Sequence, residues 1–128
     1  MNGKFLLDTN IVIAFLTGDE HIERPDPTDQ LYVSCTVIGE MFYGAFNSNQ
    51  VRENTDRIVE FIRDIVSVPC DEDTARVYGE IKTVLRKIGR PIPDNDIWIA
   101  AVALQHSLSL VSRDEHFAKI GQLNLVRW

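Results

Sequence analysis

Short unbroken apolar runs alternate along the chain with longer stretches whose apolar positions recur every three to four residues. That pattern predicts buried strands interleaved with amphipathic helices. Residues 4–7 form a run of the first kind. Asp8, Thr9 and Asn10 then place an acid, a hydroxyl and an amide before Ile11 to Phe15 resume at helical spacing, with a stop at Thr17 and Gly18. Residues 19–30 are polar, carry Pro25 and Pro27, and read as a loop. A strand at 31–34 leads into a helix over 36–46, with Val37, Ile38, Met41, Phe42, Ala45 and Phe46 on its apolar side and Glu40 on the polar stripe of Thr36, Tyr43, Gly44 and Asn47.

A long amphipathic helix is expected over 51–64, then a short edge strand at Ser67, Val68 and Pro69, where a proline is tolerated. Asp71 is placed to cap the next helix, whose buried stripe is Val77, Tyr78, Ile81, Val84, Leu85 and Ile88 and whose stop is Gly89. Residues 97–104 are apolar all round, as in a helix enclosed on most sides, yet its first turn carries Asp94 and Asp96. One acid is enough for a cap, and a second in a buried setting calls for a counter-charge. Residues 108–111 and 123–126 read as further strands, with Phe117 and Ile120 in the core between them.

The element order predicts an α/β fold with a central parallel sheet and helices on both faces, in one domain spanning residues 1–128. Such a sheet gathers the carboxyl ends of its strands at one edge. Asp8 follows the first strand, Glu40 projects from the helix after the second, Asp96 opens the apolar helix, and Asp114 follows the fourth strand. Each has an ordinary explanation as a cap, a solvated face or a turn; the four together point to one cleft. Acids crowded together require a counter-charge, and oxygen-only ligands select Mg2+ or Mn2+ over zinc. Hydrolysis of a phosphodiester in a nucleic acid is the reaction such ions support.

The net charge of -6 argues against a general electrostatic nucleic-acid binder but leaves room for an enzyme whose bound cations reverse the local sign. Lys82, Arg86, Lys87 and Arg90 make the one concentrated positive stretch, which either answers the helix dipole or meets a phosphate backbone. No apolar run reaches membrane-spanning length and no secretory leader is evident, so a cytoplasmic protein is expected, with Cys35 and Cys70 reduced in the core. His21, His106 and His116 lack metal-ligand spacing and read as surface or helix-end residues.

The segments Leu6-Leu7-Asp8-Thr9-Asn10, Val37-Ile38-Gly39-Glu40 with Tyr43-Gly44-Ala45, Pro93-Asp94-Asn95-Asp96-Ile97-Trp98-Ile99-Ala100-Ala101, and Leu110-Val111-Ser112-Arg113-Asp114 with Phe117 resemble, in this order, the PIN-domain nucleases, especially the VapC-type toxins. The resemblance implies a three-layer PIN fold and magnesium-dependent RNA cleavage, with Mn2+ able to substitute. It also implies a homodimer inhibited by a cognate antitoxin. By position Asp8, Glu40 and Asp96 resemble the metal-holding acids, Asp114 a fourth position where the family has Asp or Asn, and Asp94 an extra ligand or only a cap. Thr9, Asn10 and Ser112 resemble residues that orient the carboxylates, and Lys82, Arg86 and Arg90 are candidate RNA contacts. The loop at 19–30 is short where many relatives have a helix. The competing expectations are a non-catalytic RNA- or protein-binding module of the same fold, and a phosphatase with Asp8 as nucleophile, which would want a second acid where Asn10 stands.

Overall fold

The computed structural model describes residues 3–23 and 25–128. Five parallel strands, β1 (Lys4–Leu7), β2 (Gln30–Ser34), β3 (Val66–Val68), β4 (Ser109–Val111) and β5 (Leu125–Val126), lie in the order β3-β2-β1-β4-β5. The strands next to the centre are apolar because both their faces are covered: Leu6, Leu7, Val33, Leu110 and Val111 are fully buried. The five helices are α1 (Thr9–Thr17), α2 (Cys35–Phe46), α3 (Val51–Arg63), α4 (Glu72–Lys87) and α5 (Asp94–Gln105), followed by a short 3-10 helix at Glu115–Lys119.

Strand order explains the layering. From β1 to β3 the chain moves steadily toward one edge, carrying α1, α2 and α3; it then returns past β1 to β4, carrying α4 and α5. Right-handed crossovers in opposite directions put these two helix groups on opposite faces. The direction reverses between β1 and β4, whose register pairs Leu7 with Val111. A crevice therefore opens beyond the carboxyl ends of these two strands, and open α/β sheets bind their ligands at such a reversal.

Local signals set most of the boundaries. Gly18 ends α1 with φ 69°, a left-handed backbone that glycine adopts without strain, and its N–H bonds the carbonyls of Ala14 and Phe15. Asp71 caps α4 in a capping box with Thr74. Gly89, at φ 67°, follows its last turn. Strand β3 lies at the sheet edge, as its adjacent proline requires, but runs one residue earlier than the pattern suggested. Strand β5 is two residues long rather than four, and residues 19–29 carry turns but no helix among the described residues.

Several burial expectations are corrected. Cys35 and Cys70 are both exposed: the first opens α2 immediately after its Ser34 cap, and the second lies in the connection from β3 to α4. Both fall at the rim of the sheet, outside the packed layers. Val84 and Ile88 stand 57% and 54% exposed, because Ile81 and Leu85 fill the inward side of α4. Phe46 is also exposed and stacks on Phe42 instead of entering the core. Neither acid in the first turn of α5 caps it. Pro93 occupies the cap position without a side-chain bond.

Candidate active site

Asp8 leaves β1 at the crevice and is 5% exposed. Its N–H bonds Val111 O at 3.0 Å, tying the end of β1 to the end of β4. One carboxylate oxygen, Oδ1, accepts the Thr9 N–H at 2.8 Å, so the residue also serves as the cap of α1. The other, Oδ2, accepts the Ser112 hydroxyl at 2.6 Å and, more weakly, Asn10 Nδ2 at 3.3 Å. Burial pushes the Asp8 carboxyl above its ordinary range, the bonds from Ser112 and Thr9 oppose that, and the charges of Asp96 and Asp114 raise it further.

Glu40 reaches the same crevice from α2, where Thr9 Oγ1 donates to its Oε1 at 3.1 Å. Desolvation raises its carboxyl, the Thr9 bond works against the rise, and Asp8 and Asp96 add to it. Asp96 is likewise raised, first by desolvation, with His116 opposing and Asp114 adding repulsion. Asp8, Asp96 and Asp114 thus lie within one another's electrostatic reach, and Glu40 within that of Asp8 and Asp96, although the four come from different parts of the chain.

Asp114 is fixed by its surroundings. Its N–H bonds Ser112 Oγ at 2.9 Å, and its Oδ1 accepts the His116 N–H at 2.9 Å, which starts the 3-10 helix. That turn brings the His116 ring back over the crevice, with Nδ1 3.1 Å from Asp96 Oδ2 and 3.2 Å from Asp114 Oδ1. Potential ligand atoms of Asp96, Asp114 and His116 lie within 4.8 Å of one another. Arg113 turns aside: its guanidinium pairs with Asp19 at 3.0 Å while its N–H bonds Asn10 Oδ1. Among the described residues, no lysine or arginine ion pair reaches any of the four acids.

The expected site residues therefore divide. Asp8, Glu40, Asp96 and Asp114 come together, with Thr9, Asn10 and Ser112 bonded to them or to one another. Asp94 is directed elsewhere, accepting from Lys82 Nζ at 2.9 Å and Tyr78 OH at 3.1 Å, and Lys82 holds its carboxyl below the usual range. Lys82 is occupied by that pairing. Its ammonium lies 3.1 Å from the Tyr78 oxygen and 5.5 Å from the ring centroid, which puts it toward the hydroxyl edge more than over the ring face. Arg86 and Arg90 are exposed. His116 was missed. The available clue was its place two residues after Asp114, an offset that a turn folds back toward the strand end.

The donor set fits a divalent cation. Three carboxyls held high by burial and repulsion, a fourth beside them and an imidazole offer oxygen and nitrogen atoms whose crowding a 2+ ion would relieve.

A PIN-domain family model matches residues 5–123. The chain belongs to the PIN-domain family. This PIN domain is 33% identical over 131 residues to ribonuclease VapC1 of Haemophilus influenzae (strain R2866), covering 97% of both chains. It is 30% identical over 117 residues to ribonuclease VapC5 of Mycobacterium tuberculosis (strain ATCC 25618 / H37Rv), covering 90% of this PIN domain and 86% of that protein. The solved structure of VapBC-1 from nontypeable Haemophilus influenzae superposes on it with a TM-score of 0.85 at 30% identity, over 98% of each chain.

Proposed function

We propose that this PIN domain is a metal-dependent endoribonuclease, the toxin of a toxin-antitoxin pair, acting in the cytoplasm on RNA with Mg2+ as its ion and Mn2+ able to substitute. The observation that carries the reading is the convergence of Asp8, Glu40, Asp96 and Asp114 on one crevice without a lysine or arginine ion pair among the described residues. The named ribonuclease relatives and the toxin-antitoxin complex of the same fold support the substrate class and the partner.

Asp8, Asp96 and Asp114 would hold the ion, which when bound supplies charge against a phosphodiester and acidifies water. Ser112 and Asn10 orient Asp8, and Thr9 engages Oε1 of Glu40. Glu40 Oε2 is then the oxygen suited to take a proton from an attacking water, and its burial-raised basicity suits that role. Arg86 and Arg90, both exposed, are the candidate contacts for an RNA backbone that the sequence offered and the structure leaves open.

An apolar groove of about 260 Å3 between α1, α2 and α3 begins at Thr9 and Glu40 and runs past Met41 to Ile58. Ile13 is half exposed along its wall, and Tyr43 and Phe46 stand 73% and 62% exposed on α2. This surface suits an apolar segment of the antitoxin, and the net charge of -6 favours one with basic residues. Val84 and Ile88 leave an apolar stripe on α4 for the homodimer that the family resemblance implies.

The test is cleavage of a mixed cellular RNA preparation by purified protein with Mg2+, with chelator, and with Asp96→Asn as control. Cutting that requires metal and disappears in the variant is expected. Folded, metal-bound protein that cuts nothing would favour the binding-module reading.

A further inference from the structure

The 3-10 helix that begins after Asp114 holds its histidine in place from both sides. Asp114 Oδ1 accepts the His116 N–H, and the next residue, Phe117, is fully buried in the core. The backbone of His116 is therefore fixed, and its ring is directed by two contacts made through one nitrogen. Nδ1 meets Asp96 Oδ2 at 3.1 Å and Asp114 Oδ1 at 3.2 Å. Without an ion, the Nδ1 hydrogen bond to Asp96 and the attraction of the two carboxylates hold the ring there. Here the nitrogen faces the space those carboxylates share, while the side chain remains 45% exposed.

We propose that His116 Nδ1 is a ligand of the metal held by this acid site, making it a mixed oxygen and nitrogen site with a preference for Mn2+ over Mg2+. The inference rests on the divalent-metal reading above, adds a residue to it, and reverses its order of ions, putting Mn2+ ahead of Mg2+ in affinity. Carboxylates serve Mg2+ and Mn2+ alike, whereas imidazole is a poor ligand for the hard Mg2+ and a better one for transition metals. To coordinate, Nδ1 must present its lone pair, so its hydrogen resides on Nε2. Asp96 and Asp114 then share the ion with the ring instead of accepting from it. Composition alone would not show this, because the acids dominate the site.

Mn2+ bound to the whole protein reports its own ligands by pulsed electron paramagnetic resonance. Directly coordinated nitrogen gives a 14N modulation that oxygen ligands do not. The expected result is such a modulation in the wild-type protein, its loss in His116→Gln with Mn2+ still bound, and an Mn2+ to Mg2+ affinity ratio, measured by calorimetry, about tenfold lower in that variant. The wild-type spectrum needs no variant to fold, and circular dichroism checks that His116→Gln does. Mn2+ bound with no nitrogen modulation in the wild type would overturn the assignment of His116 and leave the metal reading standing. Binding of neither ion, or binding that Asp8→Asn does not weaken, would overturn both.

Discussion

Ser112 Oγ donates to Asp8 Oδ2 at 2.6 Å, joining residues 104 positions apart at the point where the order of the strands reverses. The same hydroxyl accepts the N–H of Asp114, so one buried serine sets the positions of two acids. Ser112→Ala is expected to weaken metal binding or cleavage by about 10–100-fold, the usual effect of removing a group that orients a ligand. Metal titration and initial rates of RNA cleavage would measure it, with circular dichroism unchanged.

Metal should stabilise the fold in proportion to how well the acids hold it. At a free Mg2+ or Mn2+ concentration 100 times Kd, the expected gain is about 2.7 kcal/mol, read as a rise in melting temperature that chelator reverses. Asp8→Asn should abolish both the rise and the cleavage. Its chelated form should melt no lower than chelated wild type, because the substitution removes a charge disfavoured by burial and repulsion. A chelated variant that melts well below wild type would show that the Asp8 charge is structural.

Two aspartates in the first turn of α5 should behave differently. Asp94→Asn is expected to retain the metal-induced rise in melting temperature and most of the activity, since its partners are Lys82 and Tyr78. Asp96→Asn should lose both. Parallel thermal melts with and without metal would separate them, and equal losses would place Asp94 among the ligands.

Acid should remove one helix cap selectively. The Thr74 N–H, first, and Gln105 Nε2 hold the Asp71 carboxyl below its ordinary value of 3.8. A lowered carboxyl contributes stability above that value and loses it as pH falls through the folded-state pKa. The melting temperature of Asp71→Asn should thus lie below wild type by a few degrees at neutral pH, and the two should converge in strong acid. A gap that stays constant with pH would assign the cap to geometry alone.

The strands and helices were legible because the sheet is enclosed on both faces and the helices are not. Unbroken apolar runs and helical periodicity follow directly from those two environments. Periodicity does not report which positions of an outer helix are covered, hence the misplaced Val84, Ile88 and Phe46. Asp8, Asp96 and Asp114 could be read because strand ends and helix starts fix their edge of the sheet, whereas Glu40 lies in the middle of α2 and was placed there by the helix that follows the second strand. Asp94 was left open in sequence as an extra ligand or a cap, yet residues two apart on a helix diverge by about 200°, so it cannot face the crevice that Asp96 faces. His116 was read as a surface residue because a single 3-10 turn has no repeat to detect, and its offset from Asp114 was the one clue.

The reversal of the sheet also fixes when the site can exist. Asp8 is synthesised before its partner strand β4, Ser112, Asp114 and His116, which lie about a hundred residues further on. A growing polypeptide on the ribosome carries β1 with one edge unpaired and Asp8 without the hydroxyl that orients it. The four-acid crevice is therefore incomplete until β4 and the turn that follows it have been made.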